Sequence, residues 1–302
     1  MPFSYDYLAL AAAACWALAS LFSAHGARHL GAVAFSRWRM FCVSIMLWTL
    51  ALFSGGWTSL TSAHIGVMAA SGLVGIFIGD TALFAAMNRL GPRRASVLFA
   101  THALFSALLA YVIFGEKIQG WTLIGCILLM GGVMLAIFMG KRAHDNHVWE
   151  QDIGKLWVGV ALGLLAALCQ SIATLMMKPV MMDTLSLVDP ISASAVRMST
   201  AFSAHLLLLW CGWSGAKALR RINWPIFGMV AGNALLAMGI GMTLILVALR
   251  QGNVGMVAML SSVSPVLVLP LLWLLTKNRP ALGAWAGAAI SVLGTVLIVA
   301  RH

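Results

Sequence analysis

The sequence predicts an all-α polytopic membrane protein, with ten transmembrane helices arranged as two inverted five-helix repeats. Three observations predict it. Of the 302 residues, 62% are hydrophobic and 9% are charged, whereas a soluble domain carries about 25% charged residues. Ten apolar runs reach the length of about 20 residues that a hydrocarbon core of about 30 Å demands of a helix. A long block also occurs twice without a gap: Gly79 falls on Gly241, Thr81 on Thr243, Leu98 on Leu260, Gly125 on Gly287 and Gly132 on Gly294.

In chain order the runs cover 5–24, 33–53, 63–88, 94–114, 119–139, 155–177, 189–211, 225–249, 254–275 and 281–300. Each must be helical, because lipid offers bare peptide groups no partner. The first run opens without the basic region of a cleavable leader and continues at spanning length, so it reads as a span. Pro92, Pro190, Pro225 and Pro280 stand at or just before run starts, where a missing N–H costs nothing. Gly55-Gly56, Gly115 and Gly212 close runs. Most connections are short, so successive helices are expected to be antiparallel neighbours.

One polar connection divides the chain. Residues 1–140 form the first repeat, 141–153 a polar linker and 154–302 the second repeat. The linker's His144, Asp145 and His147 read as solvated residues, since no further metal ligand is near in sequence. The front parts of the halves correspond more loosely: Cys15-Trp16-Ala17 with Cys169-Gln170-Ser171, Arg39-Met40 with Arg197-Met198, and Gly56-Trp57 with Gly212-Trp213. An odd number of spans per unit turns the second unit upside down, which is a transporter architecture with its site at the repeat interface near mid-membrane.

The net charge of +11 does not indicate nucleic acid. The basic residues sit singly or in pairs at run ends, with no basic helix face. Fourteen of the nineteen Lys and Arg flank the connections after runs 1, 3, 5, 7 and 9; four flank the opposite side, and Arg197 lies within a span. The positive-inside rule then puts the linker in the cytoplasm and both termini outside, in a cell inner membrane. The five cysteines lie inside apolar runs without a CxxC and read as small buried residues. No nucleotide-binding or hydrolytic signature is present, so neither ATP-driven pumping nor a cofactor is expected. An enzyme acting on lipid phosphates would need clustered acidic or His/Asp groups at one interface, and the chain offers no such cluster.

The ten runs, the duplication, Cys15-Trp16-Ala17 in run 1, Arg37-Trp38-Arg39 in run 2 and the block Leu90…Phe114-Gly115-Glu116-Lys117…Gly125…Gly132 together resemble the drug/metabolite transporter superfamily, EamA type. The resemblance covers nearly the whole chain. It implies movement of amino acids and other small metabolites, commonly outwards, without ATP. The second half departs from the pattern with Lys277-Asn278-Arg279 in place of the Gly-Glu pair, and Pro265 has Ala103 as its counterpart.

Asp80 is the one carboxylate well inside a predicted span, at an insertion cost of about 2.5–3.5 kcal/mol. It reads as a proton-coupling group, a partner for a substrate ammonium, or half of a buried pair with His or Arg. Its repeat counterpart is Met242. Phe77, Asp80 and Phe84 share a helical face, with Thr81 beside them. Phe99, His102 and Ser106 share a face of the next helix, so an Asp80–His102 pair able to pass a proton is one expectation, and a His bonded to a backbone carbonyl is the other. Arg39 and Arg197, repeat equivalents, either snorkel to headgroups or bind a substrate carboxylate. Gln170, Thr174 and Lys178 form a polar stripe expected to face the bundle interior; Asn233 invites the same reading. Trp16 stacks on substrate or packs. Ser261 precedes Pro265, which predicts a kink of use as a gate. Among the small-xxx-small pairs, Gly283/Gly287 is a candidate dimer face.

The expected function is secondary-active export of small amphiphilic metabolites by alternating access around a central cavity, with protons as a candidate coupling ion. Uncoupled, channel-like export is the alternative. The expected partners are a small-molecule substrate and the bilayer, with the chain a monomer or a weak homodimer.

Overall fold

The computed structural model describes residues 5–139, 155–183, 187–276 and 281–299. Among these, every regular element is helical. Five stretches are long and apolar enough to cross a membrane: Tyr5–Ser23, Ser62–Gly91, Arg94–Phe114, Leu156–Met182 and Trp224–Leu249. The 141–153 linker and Lys277-Asn278-Arg279 lie outside the described residues.

Helices α1 (Tyr5–Leu30) and α2 (Ala32–Ser54) are each continuous. The next run is compound: α3 (Ser62–Ser71), a π-helical stretch Gly72–Asp80, and α4 (Thr81–Ala100). Gly91 inside α4 has φ 81° and ψ 157°. Side chains disfavour that backbone, so the chain turns there, and α4 holds the end of one run and the start of another. After Thr101 come α5 (His102–Phe114), α6 (Gly120–Phe138), α7 (Leu156–Met182) and α8 (Pro190–Trp210). The eighth run is compound like the third: α9 (Trp224–Asn233), a π-helical stretch Ala234–Gly241, and α10 (Met242–Leu249). Then follow α11 (Val254–Ser261), α12 (Ser264–Thr276) and α13 (Leu282–Val299). Asp189 and Asn223 cap α8 and α9 by accepting from the N–H three residues on, with a proline in the first turn.

The duplication recurs in the deformations as well as in the helices. The two π-helical stretches occupy equated positions, and so do the breaks at Thr101 and at Ser262-Val263. Pro265 alone does not explain the break, because the first copy has Ala103 there. A shared cause is hydroxyl back-bonding: Thr101 Oγ1 donates to Leu98 O at 2.6 Å and Ser262 Oγ to Met259 O at 2.7 Å. Such bonds compete with the helix ladder. Both residues have ψ near zero, −11° and −6°.

Packing exchanges elements between the halves. α7 packs on Gly72–Asp80, α4 and α5 of the first half, while α1 packs on Ala234–Gly241, α10 and α11 of the second. α2 pairs with α8, and α6 with α13. The α6–α13 seam is glycine on glycine: a Cβ on Gly132 would lie 2.6 Å from the Gly287 carbonyl oxygen, and one on Gly125 2.9 Å from that of Gly294. Ascending α6 therefore meets descending α13, and these equated helices run antiparallel. Gly283 and Gly287 press on Met139 and Ala136 of the same chain, so the expected dimer face is an internal seam: its lack of side chains is used to bring two backbones together.

The turns gather at two ends. At one, Leu219 N–H donates to Leu30 O at 3.0 Å, and Arg37 donates to Ala216 O. At the other, His64 Nε2 lies 3.2 Å from Asp183 Oδ2, Asp189 N–H donates to Ser59 Oγ at 2.8 Å, and Gly255 N–H to Glu116 Oε2 at 3.4 Å. Arg28, Lys217, Arg220 and Arg221 lie toward the first end; Lys117, Lys178 and Arg250 lie toward the second.

Candidate functional site

A cavity of about 150 Å³ lies between the halves. Trp16, Arg39, Asp80, Phe84, Phe99 and His102 line it from the first half, and Gln170, Asn233, Ser261 and Pro265 from the second. The remaining candidates, Phe77, Thr81, Thr174 and Arg197, do not reach it. Equated positions meet across the space: Trp16 and Gln170, Asp80 and Met242, Phe99 and Ser261, His102 and Ser264 all line it. Met242 and Ser264 were legible in principle, by carrying each candidate across the duplication.

Asp80 ends the first π-helical stretch and receives Arg39 of α2 in a direct ion pair. Both residues are buried. Arg39 Nη1 donates to Asn233 Oδ1 at 3.3 Å. Asn233 is itself oriented by its amide, which donates to Ala19 O at 2.9 Å and to Ser23 Oγ at 2.8 Å. The guanidinium also sits over Phe84, 4.7 Å from the ring centroid, and Phe35 meets that ring edge-on at 4.9 Å. An ionic group away from water is tolerated only when paired and bonded in this way, and the aromatic face adds cation–π attraction. Arg39 thus turns inward instead of snorkelling to headgroups.

The Asp80–His102 pair does not form. Asp80 takes the stronger cationic partner, while His102 Nδ1 lies 3.0 Å from Phe99 O with its ring stacked on Phe99. Arg197, on α8, is 1% exposed and likewise does not snorkel. It lies against the first π-helical stretch, where a Cβ on Gly72 would clash with its carbonyl oxygen.

The polar stripe of α7 divides its work. Gln170 faces the cavity. Thr174 Oγ1 bonds back to Gln170 O at 2.8 Å. Lys178 Nζ donates to Leu249 O at 3.0 Å and also to Gly252 O, capping the C-terminal end of α10, where a cation complements the exposed carbonyls. Phe77 and Thr81 serve His205, which the sequence reading missed. His205 Nδ1 lies 2.8 Å from Ala201 O, Nε2 lies 3.0 Å from Thr81 Oγ1, and Phe77 meets the ring edge-on at 4.8 Å.

Apolar helices of spanning length gathered around a cavity with polar and apolar lining are the features of a multi-pass membrane protein. The model of the EamA-like transporter family matches residues 3–138 and 157–300. The chain belongs to that family. It is similar to an uncharacterized transporter of Clostridium kluyveri, 30% identical over 119 residues; the match spans 39% of this chain and 37% of that relative's length. A crystal structure described only as that of a protein superposes with a TM-score of 0.76 over 98% of this chain and 97% of its own, at 16% identity, a likeness of fold.

Proposed function

We propose that the chain is a secondary transporter that exports small amphiphilic metabolites, such as amino acids, by alternating access. In this reading ten spans form two inverted five-helix repeats, 1–140 and 154–302, joined by a cytoplasmic linker. The observation that carries it is the cavity lined by equated positions of both halves; the antiparallel glycine seam of α6 and α13 supports the inversion. A site on the internal symmetry axis can open to either side when one half rocks on the other. The basic end of the bundle faces the cytoplasm, which leaves both termini outside, in the inner membrane. The internal use of Gly283 and Gly287 supports a monomer.

Counterflow in proteoliposomes tests the carrier reading. Vesicles loaded with unlabelled substrate take up labelled substrate transiently above equilibrium if one alternating site serves both sides. A screen of amino acids and amphiphiles that gives only monotonic equilibration refutes it.

Coupling admits two readings. Asp80 carries a proton in exchange for substrate, or export is uncoupled. The hold of Arg39 on Asp80 favours the uncoupled reading, and uphill export by Asp80→Asn separates the two.

A further inference from the structure

We infer that the ligand of this cavity carries one net negative charge, an acid group on an apolar or aromatic body. Arg39 receives the acid group while Asp80 passes to Arg197. This rests on the reading of the cavity as the carrier's binding site.

Charge balance comes first. Arg39, Asp80 and Arg197 are 3%, 6% and 1% exposed, so two cations share one carboxylate in apolar surroundings. The neighbouring imidazoles supply no anion: His102 and His205 each spend Nδ1 on a carbonyl. Asp6, the other buried carboxylate among the described residues, sits in the first turn of α1. An excess buried charge is expensive, and a monoanionic ligand removes it. A zwitterion with no further charge leaves the excess in place, so of the amino acids proposed above only those with a second acid group meet it, and a cation enlarges the excess.

Arg197 supplies the second observation. Its Nε and Nη1 are buried and have no hydrogen-bond partner, although buried donors ordinarily find one. Its Nη2 would lie 3.8 Å from a Cβ on Gly75, and the i→i+5 winding of a π-helix sets Asp80 one turn beyond Gly75. Arg197 acts on Asp80 electrostatically without bonding to it.

The duplication explains the asymmetry. Arg39 has Asp80 in its own half, but Arg197 has Met242 where its carboxylate would be. Arg39 lines the cavity and Arg197 does not. An incoming carboxylate therefore competes for Arg39, and the displaced Asp80 has a second, equivalent guanidinium one turn away. The exchange ends with two ion pairs and neither of these guanidiniums unpaired; Arg37, the third buried arginine among the described residues, donates to Ala216 O at the end of the bundle. Trp16, Phe84 and Phe99 offer the rest of the ligand an aromatic wall. The volume of about 150 Å³ equals that of an engineered cavity that takes benzene.

The test is ligand-dependent thermal stabilisation of the detergent-solubilised full chain, with benzoate, benzylamine and benzyl alcohol as probes of one size and three charges. Benzoate is expected to raise the Tm in a dose-dependent way, with an apparent affinity at least about tenfold above the other two. Arg39→Gln abolishes the benzoate shift. Arg197→Gln weakens it by about tenfold or more, and Arg197→Lys by less. Benzoate no better than the other probes, including no shift with any of them, overturns the inference; so does unchanged benzoate affinity in folded Arg197→Gln. Should that variant not fold, the probe comparison on the native chain and Arg197→Lys decide. Charge preference without counterflow sinks only the carrier reading, and counterflow without charge preference sinks only this one.

Discussion

Arg39 on α2 donates directly to Asp80 at the end of the first π-helical stretch, and both residues are buried beside the central cavity. The same guanidinium reaches Asn233 of the second half at 3.3 Å. One ion pair thus joins two elements of the first repeat to one of the second. Any rocking of the halves has to remake this joint.

Removing Asp80 leaves two buried guanidiniums without a counter-ion, whereas removing Arg39 leaves Asp80 with Arg197. Asp80→Asn is expected to destabilise the fold by about 3–5 kcal/mol, Arg39→Gln by less, and the double variant by less than the sum of the two. Unfolding of the three variants in detergent measures this. Strict additivity would mean that the pair is not coupled in the folded protein.

The seam between α6 and α13 makes a sharper steric prediction. A Cβ at Gly132 would lie 2.5 Å from Ser291 N and 2.6 Å from Gly287 O, both backbone atoms, whereas one at the adjacent Gly131 meets nothing within 4 Å. Gly132→Ala is expected to cost about 1–3 kcal/mol of stability through overpacking, and Gly131→Ala to cost nothing or to stabilise slightly through helix propensity. Paired thermal melts check it; equal melts would mean that the seam is not closed.

Much of this molecule is legible in its sequence, for identifiable reasons. Lipid forces apolar length and internal hydrogen bonding, so the helical segments are visible in hydropathy. The duplication fixes which elements are equivalent, down to the glycines of the seam. Hydropathy also marks Asp80 and Arg39 as costly, but it does not pair them. Periodicity offers His102 on the following run as a neighbour, while α2 of the preceding run supplies the stronger cation. His205 escaped because its partner Thr81 lies 124 residues away, a pairing that neither hydropathy nor periodicity marks. The π-helical stretches escaped for another reason: they are changes of hydrogen-bond register, and composition does not encode register. Thr101 shows the same limit, since its break arises from a hydroxyl back-bond without a proline.

The ends of the bundle differ in charge, and this predicts sidedness. In intact cells, a cysteine placed at Lys217 or in the 141–153 linker is expected to resist a membrane-impermeant thiol reagent, while one at Lys117 reacts. The reverse labelling pattern inverts the proposed orientation without touching the fold.

Asp80 is also where the two readings of coupling are told apart. If it carries the exchanged proton, Asp80→Asn is expected to abolish uphill export driven by a pH gradient in proteoliposomes while downhill exchange persists. Intact uphill export by this variant removes Asp80 from the coupling path, and indifference of the native chain to the gradient establishes uncoupled export.

The most direct test of the central claim asks whether substrate passes through the space between the halves. Ser20 and Ser264 line the cavity from opposite repeats, whereas Leu108 is 60% exposed on the outer surface of α5. Each is replaced by cysteine in a chain whose five native cysteines are removed, and counterflow is measured before and after alkylation with and without substrate. The account predicts that alkylation at 20 and at 264 each blocks counterflow, that substrate protects both, and that alkylation at 108 has no effect. Full counterflow after complete alkylation at 20 and 264 would contradict it.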